Sequence, residues 1–168
     1  MVGKLPFHGD FVARGANARQ RRQIDNWLAD SMAAARDLFG PTFEATFDAA
    51  KAWLFAWQDG QWTAGALTPS ADRAGRRFPL LVGKTDLARG QVEAGAKLCE
   101  RVAGDAIAMR WSADQLLQAI AVAEVANEDS DPAPGWWSED FADAARLTER
   151  LPPGILSHIL APVAGASA

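Results

Sequence analysis

The chain has 168 residues, 49% of them hydrophobic, which fits one domain with a single core. Its lone cysteine, Cys99, excludes an internal disulfide and a multi-cysteine zinc cage. Its net charge of −4 argues against a nucleic-acid binder, whose non-specific affinity scales with the number of phosphates it neutralises.

In chain order, the first feature is a loop rich in glycine and charge, Gly3-Lys4-Leu5-Pro6-Phe7-His8-Gly9-Asp10-Phe11-Val12. No apolar run approaches the roughly 20 residues that span a bilayer, and the opening residues do not read as a signal peptide, so the expectation is a cytoplasmic protein. Asn17 then caps a predicted helix to about Phe39, whose Ile24, Trp27, Leu28, Ser31, Ala35, Leu38 and Phe39 recur at three- and four-residue spacing. Gly40-Pro41 ends that helix, and Pro41 opens a second in which Phe43 and Phe47 share a face. The period then changes. The runs 53–58 and 61–68 flank Asp59-Gly60, a hairpin signal that predicts a two-residue turn with positive φ at both central residues. Phe78-Pro79-Leu80-Leu81-Val82-Gly83 reads as a third strand, with Pro79 at an edge or among its first residues. From Asp86 the pattern becomes helical through Val92, Ala96, Cys99, Val102 and Ala103, and Ser112 caps a further helix to about Ala126. Both helices are expected to cover the sheet. Residues 127–135 form an acidic, proline-containing loop expected to be flexible. Trp136-Trp137 opens a brief strand; being adjacent they point to opposite faces, which makes one of them the candidate for exposure. A helix is expected from Ser138, then an apolar turn at Ile155, Leu156, Ile159 and Leu160 docked on the core, and a frayed tail over 162–168.

Charge is unevenly spread. Residues 1–40 carry six basic and four acidic side chains, a balance of +2, whereas 112–150 carry nine acids against two arginines, a balance of −7. Catalytic groups are scarce: two histidines, one cysteine and no tyrosine. His8 and Asp10 form an H-x-D pair, but a metal site wants three or four converging ligands and no second cluster supplies them, so a structural role for His8 is preferred. His158 reads as a half-buried packing residue and Cys99 as a buried, inert thiol. Gly9 is read as permitting a backbone turn that a β-carbon would resist. Asp10 is positioned to accept backbone amides or to pair with Arg73 or Arg76, and the alternative is that this polar cluster merely holds two loops together. The second loop, Pro69-Ser70-Ala71-Asp72-Arg73-Ala74-Gly75-Arg76-Arg77-Phe78-Pro79, has a local excess of arginine forks suited to an acidic patch, a phosphorylated segment or a small anion. Of the seven tryptophans, Trp27, Trp53, Trp57 and Trp62 are assigned to the core.

The two loops, read as GKLP-x-x-GDFV and PS-x-DR-x-GR-x-FPL, with the WLFAW run and the Trp-Trp pair, resemble the TagF (ImpM-like) family of bacterial type VI secretion. The resemblance implies a mixed α/β fold, a largely antiparallel sheet with a central hairpin covered by helices, in one compact domain over 1–168. It also implies a non-enzymatic, cytoplasmic accessory protein that represses secretion after translation by acting on assembly. The expected partner is the forkhead-associated scaffold protein of the apparatus. Some relatives are fused to a serine/threonine phosphatase domain, which nothing in this chain resembles. The residues expected to meet a partner are Asp10, Phe11, Ser70, Asp72, Arg73, Arg76 and Arg77, with Gly3, Pro6, Gly9, Gly75, Phe78 and Pro79 shaping the loops. No catalytic residue, metal ligand or cofactor is expected. The alternatives are an enzyme or sensor that binds a small anion through Arg73 and Arg76, with Asp10 or His8 handling a proton, and a structural subunit of the secretion machine.

Overall fold

In a computed structural model of the chain, residues 1–138 and 146–161 are described. Six strands form one antiparallel sheet: β1 (Val2–Gly3), β2 (Val12–Ala13), β3 (Trp53–Asp59), β4 (Gln61–Thr68), β5 (Leu80–Leu87) and β6 (Gly135–Trp137), in the spatial order β2-β1-β5-β4-β3-β6. Helices cover both faces of it: α1 (Ala18–Phe39), α2 (Phe43–Ala49) and α5 (Ile155–Ile159) on one side, α3 (Val92–Ala108) and α4 (Ala113–Val122) on the other. This is the mixed α/β, largely antiparallel architecture that the sequence implied.

Alternation along the strands divides the interior in two. Leu54 and Ala56 of β3 point toward α3 and α4, with Ala64, Ala66, Leu80 and Val82, while Trp53 and Phe55 point toward α1, α2 and α5. The sheet therefore separates two apolar layers rather than bounding one core. On the second side Trp27, Phe55 and Trp136 stack, with ring centroids 5.6 Å apart for Trp27–Trp136 and 4.9 Å for Phe55–Trp136.

Two helix starts fall where the caps predict, whereas Pro41 lies in a 3-10 turn over Gly40–Thr42 and α2 follows from Phe43. The Asn17 side chain accepts from the Gln20 amide at 2.9 Å and Gln20 answers at the Asn17 amide, a closed capping box, and Ser112 and Gln115 repeat the arrangement at α4. Four further expectations are corrected. The β3–β4 connection turns on Gly60 alone (φ 74°), with Asp59 paired to Gln61, so Asp59 does not adopt positive φ. β5 begins after Pro79, which has no N–H to give the ladder, and continues to Leu87, held by its pairing with Trp62 and by burial; a short 3-10 turn at Arg89–Gln91 precedes α3. α4 ends at Val122, beyond which the chain extends and the Val125 carbonyl accepts from Gln91 Nε2 at 3.2 Å. His158 is exposed rather than half-buried, because the apolar face of α5 is carried by Ile155, Leu156 and Ile159.

Trp136 is buried on β6, and Trp137, on the opposite face, is half-covered by the Arg146 guanidinium 4.4 Å from its ring. Of the four tryptophans assigned to the core, Trp27, Trp53 and Trp62 are buried and Trp57 is partly exposed. Burial pushes the Cys99 thiol up to about 12, in keeping with an inert packing residue. The helix expected from Ser138 and the tail over 162–168 lie outside the described residues.

Candidate functional site

Both sequence motifs meet at one end of the sheet, beside β1 and the start of β5. The contact is backbone against backbone at Gly3, whose φ is 143°: a β-carbon there would lie 2.3 Å from the Pro79 carbonyl oxygen and 2.8 Å from the Leu80 Cα. Glycine at this position lets β1 pair with β5 and so brings the first loop against the second. The loops are then stitched together. The Ser70 hydroxyl donates to the Lys4 carbonyl at 2.8 Å, the Arg73 amide donates to the His8 carbonyl at 2.8 Å, and Arg76 donates to the Gly9 carbonyl at 2.6 Å.

Asp72 organises this junction. Its side chain is fully buried, and Oδ1 accepts from the Ala74 amide at 2.9 Å and the Arg76 amide at 3.0 Å. Oδ2 faces Arg76 Nε at 2.7 Å and Lys4 Nζ at 3.0 Å. Burial alone pushes this carboxyl up, but the Lys4 ammonium and the amide and guanidinium of Arg76 outweigh it and hold the group well below the usual carboxylate range. The loop thus carries its own anion: the Asp72 carboxylate takes the bonds of Arg76 and Lys4 that a small anionic ligand would otherwise receive.

This arrangement sorts the expected partner-binding residues. Ser70 and Asp72 are buried and hydrogen-bonded at the junction, where they shape the loop. Arg76 is spent on Asp72 and Gly9. Its contact to Asp10 is 3.8 Å, and the Asp10 side chain is 99% exposed, so the carboxylate that accepts backbone amides is Asp72 and not Asp10. Arg77 turns the other way and grips α2, with Nε 2.8 Å and a terminal nitrogen 2.6 Å from the Asp48 oxygens and the other 3.0 Å from Glu44. That fork holds the Asp48 carboxyl below its ordinary range. Phe11 stacks edge-on against Phe78 at 5.7 Å, with Arg21 over its ring at 5.9 Å. Arg73 is exposed and makes no ion pair among the described residues.

Gly9 is not required by its backbone. A β-carbon there would meet only the Arg73 guanidinium at an ordinary 3.5 Å, so the turn attributed to Gly9 does not depend on glycine. Gly75, at φ 78°, closes the turn whose amide donates to the Asp72 carbonyl at 2.9 Å. Pro6 and Pro79 contribute carbonyls: Pro6 receives Arg110 at 3.1 Å, and Pro79 abuts Gly3.

Three contributors lie outside the residues expected to meet a partner. Lys4 is the second cation on Asp72. His8 presents Nε2 as acceptor to the Ala113 amide at 3.0 Å, which fixes the first loop to the N-terminus of α4, and this is a structural use of the imidazole. Arg110, in the α3–α4 turn, reaches the Pro6 carbonyl. Among the described residues no group of three or more His, Cys, Asp or Glu side chains is placed to hold a metal ion. No helix there is long and apolar enough to cross a membrane.

Comparison with known proteins adds a family. The crystal structure of PA0076 from Pseudomonas aeruginosa PAO1 superposes with a TM-score of 0.59 at 28% identity, covering 81% of this chain and 63% of that one. This chain therefore spans less than two thirds of that structure's length. No curated protein matches. Residues 1–124, which hold both motifs and the whole junction around Asp72, match the family model described as "TagF N-terminal domain, Type VI secretion system-associated", and the chain belongs to that family.

Proposed function

We propose that this protein is a non-enzymatic, cytoplasmic regulator that represses type VI secretion after translation, by binding a component of the apparatus through the joined loops. The forkhead-associated scaffold protein is the proposed partner. One observation carries the reading: the two motifs form a junction held in shape by its own hydrogen bonds around the buried Asp72, which leaves Arg73 and Phe7 facing solvent. A surface fixed before binding loses little entropy on docking, which suits recognition of a protein. A small-anion sensor is disfavoured, since Asp72 already engages Arg76, one of the two arginines expected to hold the ligand.

Two measurements test this. Calorimetric titration of the purified protein with the scaffold from the same secretion cluster is expected to give saturable binding that Arg73→Glu abolishes. In cells, deletion is expected to raise secretion of an apparatus substrate, with the wild-type chain restoring repression and Arg73→Glu failing to. Absent binding together with unchanged secretion would overturn the proposal.

A further inference from the structure

Most basic side chains around the junction are committed to carboxylates: Lys4 and Arg76 to Asp72, Arg77 to Asp48 and Glu44, Arg14 to Asp114. Two of the others, Arg73 and Arg110, flank residues 6–9 of the first loop, while Arg21 lies over the Phe11 ring. Arg73 donates its amide to the His8 carbonyl, with its guanidinium beside Gly9. Arg110 donates its guanidinium to the Pro6 carbonyl, and among the described residues no carboxylate pairs with it. Between them stands Phe7, 51% exposed, its ring packed edge-on against His8 at 5.1 Å. Met109, in the same turn as Arg110, is 60% exposed.

The backbone at Arg110 adds an independent argument. Met109, Arg110 and Trp111 close α3 in a Schellman motif: the Arg110 amide bonds the Ile107 carbonyl at 3.4 Å and the Trp111 amide the Ala106 carbonyl at 2.9 Å. The residue at Arg110 adopts φ 55°, a left-handed conformation that glycine takes without strain. A long cationic side chain sits there at a conformational cost, and its one hydrogen bond aims it at the tip of the first loop.

The geometry points to a docking surface made of Phe7, Arg73, Met109 and Arg110, with the α3–α4 turn as a third element beyond the two motifs. Its occupant is an acidic protein segment that sets an apolar side chain on Phe7 and Met109 between carboxylates held by the two guanidinium groups. Charge complementarity selects this partner, since two arginines without an ion pair among the described residues bracket an exposed aromatic, while Asp72 and Asp114 are paired and Asp10 lies 3.8 Å from Arg76. The inference deepens the proposed function and rests on it.

The test is calorimetric titration of the full chain with recombinant forkhead-associated scaffold in its unphosphorylated form. Variants are Phe7→Ser, Arg110→Gly and Arg73→Glu, with Arg101→Ala on the exposed side of α3 as a charge control. Arg110→Gly is expected to melt no lower than wild type, because glycine relieves the left-handed residue, yet to lose roughly tenfold or more in affinity. Phe7→Ser and Arg73→Glu are expected to lose as much and Arg101→Ala nothing, and wild-type affinity is expected to fall as salt rises. Wild-type binding left unchanged by both Phe7→Ser and Arg110→Gly overturns this surface while leaving the proposed function standing. Binding that appears only after the scaffold is phosphorylated overturns the carboxylate assignment. No binding by wild type to either form overturns this inference and removes the scaffold as the partner, and unchanged secretion on deletion would then overturn the proposed function as well.

Discussion

At the scale of single residues, the decisive group is a carboxylate that never reaches solvent. Asp72 accepts two backbone amides and two cations, so replacing it by asparagine leaves Lys4 and Arg76 facing each other without a counter-charge. Asp72→Asn is expected to cost about 1.5–3 kcal/mol, the range for hydrogen bonds to charged groups, read from the midpoint of chemical denaturation. The pH dependence has a definite sign. The folded carboxyl is held below its unfolded value, so protons bind the unfolded chain first; the stabilisation is complete above the unfolded value of about 3.9 and fades as pH falls below it. The gap between wild type and Asp72→Asn should therefore be constant near neutrality and shrink on acidification, and a gap that grows in acid would contradict the assignment. Arg73→Ala, exposed and without an ion pair among the described residues, should shift stability by no more than about 0.5 kcal/mol, which separates the surface from its support.

At the scale of elements, two glycines make opposite forecasts. Gly3 lies where β1 meets β5 with its would-be β-carbon overlapping the Pro79 carbonyl, and backbone cannot step aside without parting the strands. Gly3→Ala is expected to cost about 3 kcal/mol, combining overpacking with strain at positive φ. Gly104 lies within α3 with open space for 4 Å around the point a β-carbon would occupy, so Gly104→Ala should stabilise by up to about 1 kcal/mol through helix propensity alone. Thermal denaturation of the pair decides it, and equal shifts would mean that the β1–β5 approach is looser than described. Elements with local signatures were legible in the sequence: α1 and α4 carry complete capping boxes, and Gly60 marks the β3–β4 turn. The ends of β5 and α4 were not, because pairing with Trp62 and the exit of the chain toward Val125 are tertiary facts without a local signal.

At the scale of the whole molecule, the site was legible as two loops but not as a junction. Sequence placed Asp10 at its centre because glycine precedes it, whereas long-range pairing buries Asp72 and leaves Asp10 in solvent. Arg110 carries no motif and enters only because α3 ends beside Pro6. The same long-range logic governs the lower face of the sheet. The family match ends at residue 124, yet the layer beneath α1 is completed by residues beyond it. Trp136, Ile155, Leu156, Ile159 and Leu160 are all buried there, and the Trp27 indole donates to the Pro152 carbonyl at 2.8 Å. At about 2 kcal/mol for each buried side chain, their loss removes on the order of 10 kcal/mol. That matches the net stability of about 5–15 kcal/mol typical of a folded domain. A chain ended at Glu124 would also uncover Trp27, Leu28 and Phe55 on one face and remove the Pro152 acceptor of the Trp27 N–H. It is expected to lose the cooperative unfolding transition and to elute as an expanded or associated species on gel filtration, although both motifs are intact. A monomeric Glu124-ended chain with a sharp transition would show instead that the loops, β1 to β5 and α1 to α4 suffice, and that β6 and α5 are a dispensable cover.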